Sequence, residues 1–222
     1  MATSGVTVRL KDLVGKTDAQ IFLIIGPPGA GKESFANQYL IDGFNENDNG
    51  VFLTTDCFPN DIVEKMKQLG TDPTQYISSK RLQFIDAFSY RTGEKIVKNN
   101  LAVDNIRDLT NLSVIIKSLI DSKQKMRLVI NTISTISVYN SGVAVLDFIQ
   151  AQVARLKQKN HSGIIIAHEG IMDEKIIQGI KAIVDGVIEF KPHEDDNGVL
   201  ERRLRVVYAP SIKKSGWVSL YI

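Results

Sequence analysis

The chain has one cysteine, Cys57, in 222 residues, so it can form no internal disulfide and no metal site built from several cysteines. This usage is typical of proteins from a reducing compartment. No apolar run approaches the roughly 20 residues that a membrane-spanning helix needs, and the first residues lack the apolar core of a secretory signal. We therefore expect a cytoplasmic protein without a membrane segment.

An excess of either charge is also missing. The 27 basic and 25 acidic residues leave a formal net charge of +2, which gives no reason to expect nucleic acid as a partner. The sequence shows no internal repeat, no low-complexity segment and no linker-like stretch rich in Pro, Gly or Ser. With 43% hydrophobic residues, the chain can bury a full core as one α/β domain. We predict an N-terminal arm or edge strand over residues 1–20 and a single domain over 21–222.

The most informative stretch covers residues 21–38 and reads IFLIIGPPGAGKESFANQ. The apolar run 22–25 predicts a strand buried on both faces, and it ends in a glycine-rich loop. Such a loop curls so that backbone N–H groups and the next helix N-terminus meet phosphate oxygens, while the lysine reaches the outer phosphates. A plain Gly/Pro-rich turn is the alternative. The predicted phosphate-binding residues are Gly26, Pro27, Pro28, Gly29, Ala30, Gly31, Lys32, Glu33 and Ser34.

The position after Lys32 departs from the phosphate-loop pattern. A Ser or Thr is expected there, because its hydroxyl binds Mg²⁺, but the chain has Glu33, with Ser34 one place too late. Two hypotheses follow for Glu33. It either faces the site as an oxygen ligand of Mg²⁺ or turns outward and stabilises the helix N-terminus. The pattern predicts nucleotide binding and leaves hydrolysis open.

Further buried strands alternate with helical patterns along the chain. The order predicts an α/β fold with a mostly parallel central sheet, helices on both faces and C-terminal antiparallel strands. We expect ligands at the carboxyl edge of such a sheet. The predicted strands are 51–54, 82–85, 127–130, 163–167, 187–190, 200–208 and a last edge strand over 215–222.

Several polar residues near these strand ends have a simpler interpretation. Asp56 either polarises an attacking water or only caps the following helix. His168 is more typical of a hydrogen-bonding residue than of a metal ligand, because no other ligands are spaced with it. A polar strand face explains the arginines Arg202, Arg203 and Arg205, and a solvated hairpin explains the acidic run 193–198.

Three further segments identify a resemblance. FLTTDCFPNDI from Phe52, LQFIDAFS from Leu82 and LVINTIST from Leu128 resemble, in the correct order, segments of KaiC-like ATPases of the RecA superfamily. Adenylate kinases share the loop, but they need an arginine-rich lid, and residues 126–190 contain only Arg127 and Arg155. The resemblance implies a RecA-like P-loop NTPase fold, ATP and Mg²⁺ as ligands, a protein partner, and a homo-oligomer such as a hexameric ring.

The resemblance also implies roles for individual residues. Asp56 would polarise the attacking water and Glu169 would assist it, while Thr135 or His168–Glu169 would sense the outer phosphate. Asn131 stands where the Walker B aspartate of the family holds Mg²⁺ through water. Both Walker motifs are thus degenerate. The C-terminal basic segment, reduced to Lys213 and Lys214, and Cys57 in place of a second acidic residue also depart from the family.

These departures predict a function. We expect a nucleotide-dependent regulatory or assembly module with weak or absent hydrolysis. One alternative is a competent ATPase motor or remodeller that acts on DNA. The other alternative is a scaffold that no longer binds nucleotide.

Overall fold

The computed structural model describes residues 8–92, 101–194, 198–214 and 216–220. These residues form nine strands and eight α-helices around one sheet. The strands are β1 (Ile21–Gly26), β2 (Asn49–Thr54), β3 (Leu82–Asp86), β4 (Leu101–Ala102), β5 (Met126–Asn131), β6 (Ser162–His168), β7 (Gly186–Glu194), β8 (Leu200–Tyr208) and β9 (Val218–Leu220). The helices are α1 (Leu10–Val14), α2 (Lys32–Asn45), α3 (Pro59–Gln68), α4 (Thr74–Ser78), α5 (Leu109–Ser122), α6 (Ile133–Tyr139), α7 (Gly142–Gln158) and α8 (Glu174–Ile183).

The strand order in the sheet is β4-β3-β2-β5-β6-β1-β7-β8-β9. All pairs from β4 to β7 are parallel, whereas β7–β8 and β8–β9 are antiparallel. The predicted fold is confirmed, including its antiparallel extension. The loops after β1, β2, β5 and β6 therefore meet at one edge of the sheet.

Helices cover both faces of the sheet and form a hydrophobic core on each. Alternate residues of the strands pack into one core or the other. In β1, Ile21 and Leu23 join the core under α5, α7 and α8, while Phe22 and Ile24 join the core under α1, α2 and α3. Strands that are buried on both sides need apolar residues at every position, which explains the unbroken apolar runs of the sequence. No helix in the described part of the chain is long and apolar enough to cross a membrane.

Some local predictions differ from the structure. Leu10 begins the short helix α1 and is buried with Leu13, so it does not continue a strand, and Val6 lies outside the described residues. Val143, in the first turn of α7, is 65% exposed. At the start of α7 it is Gly142 that meets α8, since Ile176 lies 2.7 Å from a Cβ built there. Between β3 and α5, the described residues contain a 3-10 turn (Ser89–Thr92) and β4.

The far end of α2 is fixed by a buried cation. Arg127 of β5 is 4% exposed, pairs with Asp48 at 2.8 Å, and donates to the Tyr39 carbonyl of α2 at 2.9 Å. Its guanidinium also lies 4.8 Å from the centre of the Tyr39 ring. An unpaired buried charge would be strongly unfavourable, so this pair orients α2 against β5. The N-terminus of α2 directly follows the loop after β1.

Candidate nucleotide site

The loop of residues 26–32 joins β1 to α2 and needs glycine for two reasons. Gly29 (φ 75°) and Gly31 (φ 94°) have left-handed backbone angles that other residues rarely adopt. At Gly26 the reason is space, because a Cβ built there would lie 2.3 Å from the carbonyl oxygen of Phe190 in β7. The glycines recognised in the sequence therefore set both the curl of the loop and its contact with the sheet.

Lys32 is fully buried at the start of α2. Its Nζ donates hydrogen bonds to the carbonyls of Gly26 at 2.9 Å and Pro27 at 2.6 Å. Burial lowers the pKa of Lys32, and the nearby carboxylates of Glu33 and Glu169 oppose that shift. The ammonium is therefore held beneath the loop by backbone oxygens, close to the N-terminus of α2, where an anion is favoured.

Glu33 and Ser34 are half-buried in the first turn of α2. Glu33 lies close enough to Lys32 to act on its pKa. Whether the carboxylate serves the metal or only the helix N-terminus stays a prediction.

Asp56 follows β2 and its side chain is 30% exposed. Its carboxylate accepts hydrogen bonds from the hydroxyls of Thr55 at 3.0 Å, Thr132 at 3.3 Å and Thr135, and His168 Nε2 lies 3.8 Å away. Burial acts to raise the pKa of Asp56, but His168 and the hydroxyls of Thr135 and Thr55 outweigh it, so the pKa lies below its usual value. The structure thus brings the ends of β2, β5 and β6 together around one ionised carboxylate.

Asn131 ends β5 and is 3% exposed. Its Oδ1 has no hydrogen-bond partner within the described residues. The neighbouring backbone is tied to β2, because Thr55 N–H donates to the Asn131 carbonyl at 2.8 Å and Thr132 N–H donates to Thr55 Oγ1 at 2.8 Å. A buried oxygen without a partner is costly, which makes Asn131 Oδ1 a ready acceptor for a water at this edge.

His168 and Glu169 lie at the end of β6, beside the 26–32 loop. The N–H of His168 donates to Ser134 Oγ at 2.7 Å, and the N–H of Glu169 donates to the Gly26 carbonyl at 3.1 Å. Both residues also line a cavity of about 450 Å³ that extends to Trp217. Glu169 is exposed and is not a partner of Asp56, so any shared catalytic role stays a prediction.

The structure also places residues near this edge whose roles are structural. Asp86, at the end of β3, caps the following turn by accepting hydrogen bonds from the N–H groups of Phe88 and Ser89 and from the Ser89 hydroxyl. Lys213 N–H donates to the Leu13 carbonyl of α1 at 2.7 Å, which places the 211–214 segment against α1. Of the threonine hydroxyls around Asp56, the sequence had singled out only that of Thr135. The only local signal was the run of polar residues directly after β5.

We expect Thr135→Val to destabilise the protein at pH 7 by about 1 kcal/mol, because a hydrogen bond to the ionised Asp56 is lost. The folded-state pKa of Asp56 is depressed, so its contribution is present above the unfolded value of about 4 and is lost as pH falls. Urea unfolding at pH 7 and pH 3 should therefore show a difference that shrinks in acid. Thr135→Ser, which keeps the hydroxyl, is the control. Equal losses at both pH values would mean that Thr135 acts through packing of α6.

Sequence comparison finds several relatives of this chain. A UPF0273 protein from Thermotoga maritima is 26% identical over 194 residues, which cover 86% of this chain and 79% of the relative. A UPF0273 protein from Methanocaldococcus jannaschii is 26% identical over 199 residues, with the same coverage. A UPF0273 protein from Sulfurisphaera tokodaii is 29% identical over 143 residues, and the match spans 50% of that relative.

The family model described as "ATPase: KaiC" matches residues 9–214. That range includes the 26–32 loop, the Asp56 cluster and the antiparallel β7–β8 pair. With the parallel sheet and the lysine-bearing loop described above, the match shows that the chain belongs to the KaiC ATPase family.

Proposed function

We propose that the chain is an ATP-binding KaiC-like domain that acts as a nucleotide-dependent regulatory or assembly module with weak or absent hydrolysis. One contrast carries the proposal. The 26–32 loop is complete around the buried Lys32, whereas the two positions that would hold the metal carry Glu33 and Asn131. Changes around a metal site cost roughly 10–100-fold in metal affinity or activity even when they lie outside the direct ligands.

The donor set fits Mg²⁺ that arrives with the nucleotide. Within the described residues no group of three or more His, Cys, Asp or Glu side chains could hold a metal by itself. Asn131 Oδ1 is buried and suits a water on the ion, and Glu33 offers a carboxylate oxygen. When bound, Mg²⁺ would neutralise charge on the phosphates. Asn131 and Glu33 would hold it together with the phosphate oxygens.

The Asp56 cluster supports the second candidate function, a competent ATPase motor or remodeller. An ionised carboxylate with fixed hydroxyl neighbours can orient and polarise a water by accepting a hydrogen bond from it. Glu169, tied to the loop through its backbone N–H, is our other candidate for assisting that water. The rate of phosphate release distinguishes this candidate from the regulatory module.

We expect wild-type protein to bind ATP and to release phosphate more slowly than about 1 per second, the lower end of ordinary enzymes. Lys32→Ala should abolish ATP binding, because it removes the ammonium beneath the loop. Lys67→Ala, on the exposed face of α3, is the matched control and should bind normally. Fast phosphate release that disappears in Lys32→Ala would establish the ATPase instead. A wild type that shows no thermal shift with ATP, ADP or GTP would indicate a scaffold.

Glu33→Gln tests whether the Glu33 carboxylate, directly after the loop, acts as a metal ligand. Beside phosphates without a cation, Glu33 is repulsive, and with Mg²⁺ it becomes a ligand. We expect the variant to bind ATP on the order of tenfold tighter than wild type in chelator and more weakly in Mg²⁺. Calorimetric titration measures both conditions, with Glu64→Gln on α3 as the control. Equal affinities in chelator would leave Glu33 as a helix-terminus residue only.

We further propose that the chain forms a homo-oligomer, with a hexameric ring as the form that the family resemblance implies. Three strongly exposed apolar side chains lie on the segments after β5 and β6: Val138 (65%), Val143 (65%) and Ile171 (50%). Apolar surface at that edge favours contact with another subunit. Sedimentation velocity with ATP and Mg²⁺ should show the assembly. Monomer at every concentration would exclude it.

A further inference from the structure

The antiparallel strand β8 places an arginine on the 26–32 loop. Arg202 Nε donates a hydrogen bond to the Gly29 carbonyl at 3.0 Å, across 173 residues of sequence. In the sheet, Arg202 is paired with Pro192 of β7 and Leu220 of β9. Its side chain is otherwise exposed, at the open side of the loop.

The period of the strand explains why Arg202 and not its neighbours reaches the loop. Leu204 and Val206 are buried in the core under α2, so Arg202 faces the same side of the sheet. Arg203 and Arg205 face the opposite side, where they pair with Glu201 at 3.0 Å and Glu189 at 2.6 Å. The polar strand face predicted from the sequence therefore consists of two different surfaces.

Packing fixes this strand against the loop. Phe190 of β7 contacts Phe35 of α2 edge-to-face, with ring centres 5.4 Å apart. The carbonyl of Phe190 is the group that leaves no room for a Cβ at Gly26. Because β8 is paired with β7 along its length, the position of Arg202 follows from these contacts.

The chemistry of the loop calls for another cation. A nucleoside triphosphate brings several negative charges, and Lys32 already lies in the field of Glu33 and Glu169. A guanidinium has five N–H donors, and Arg202 uses the one on Nε for Gly29. The two Nη groups can bind phosphate oxygens in the bidentate manner that arginine favours. Apart from Gly29 itself and its two chain neighbours, no described atom lies within 4 Å of a Cβ built at Gly29, so space is open beside the loop.

We propose that Arg202 is a second cationic phosphate ligand of the nucleotide site, provided by the same chain. It contributes positive charge that a weakened metal site lacks. This inference rests on the proposed binding of ATP and adds a residue to that site.

The test uses the full chain and four proteins: wild type, Arg202→Gln, Arg202→Lys and Arg203→Gln. Each is titrated calorimetrically with ATP and with inorganic tripolyphosphate, which carries the phosphates without a base, in Mg²⁺ and in chelator. Arg202→Gln should lower the affinity for both ligands on the order of 10- to 100-fold, as expected for lost hydrogen bonds to a charged group. The loss should be larger in chelator. Arg202→Lys should retain part of the affinity, and Arg203→Gln should bind as wild type does.

Each other outcome has a defined meaning. If Arg202→Gln binds ATP and tripolyphosphate as tightly as wild type and Arg203→Gln do, Arg202 is not a phosphate ligand, although the proposed function stands. Weakened ATP binding with unchanged tripolyphosphate binding also overturns the inference, since the contact then lies outside the phosphates. A wild type that binds neither ligand overturns both proposals. Melting temperatures of the variants, and the charge-conserving Arg202→Lys, separate loss of the contact from loss of the fold.

Discussion

The close approach of the 26–32 loop to its two flanking strands is the constraint on which the site depends. On one side, Gly26 leaves room for the Phe190 carbonyl of β7, and on the other its own carbonyl accepts the Glu169 N–H from β6. The same carbonyl also receives the Lys32 ammonium. Any side chain at position 26 would push β7 away, and with it the whole antiparallel extension. The loop therefore sets the contact with β7 and is also the candidate phosphate-binding loop.

The second feature is the way in which charge is distributed at the carboxyl edge. Asn131 ends β5 with an amide, Glu33 places a carboxylate in the first turn of α2, and Asp56 stays ionised under hydrogen bonds from three threonines. Asp56 follows β2, whereas Asn131 ends β5 and Glu33 lies in α2, so nucleotide binding and turnover require separate measurements.

The antiparallel strands beyond β7 contribute to the core and carry Arg202 to the loop. Their inner face continues the core under α2, through Leu204 and Val206, and their row of side chains ends at Arg202 on the loop. The outer face carries the ion pairs of Arg203 and Arg205. Core packing of Leu204 and Val206 therefore positions the strand that carries Arg202 beside the loop.

The sequence by itself determined the parallel sheet, its main strands and the 26–32 loop, because apolar runs and glycine spacing are local properties that buried strands and tight turns require. The sequence did not predict the short helices α4 and α6, since one or two helical turns show little hydrophobic periodicity. Only the tertiary structure decided that Asp56 meets Thr132 and His168, that Asn131 Oδ1 is left without a partner among the described residues, and that Arg202 reaches Gly29. Those contacts join residues far apart in the chain, and strand order and register, which no local pattern encodes, bring them together.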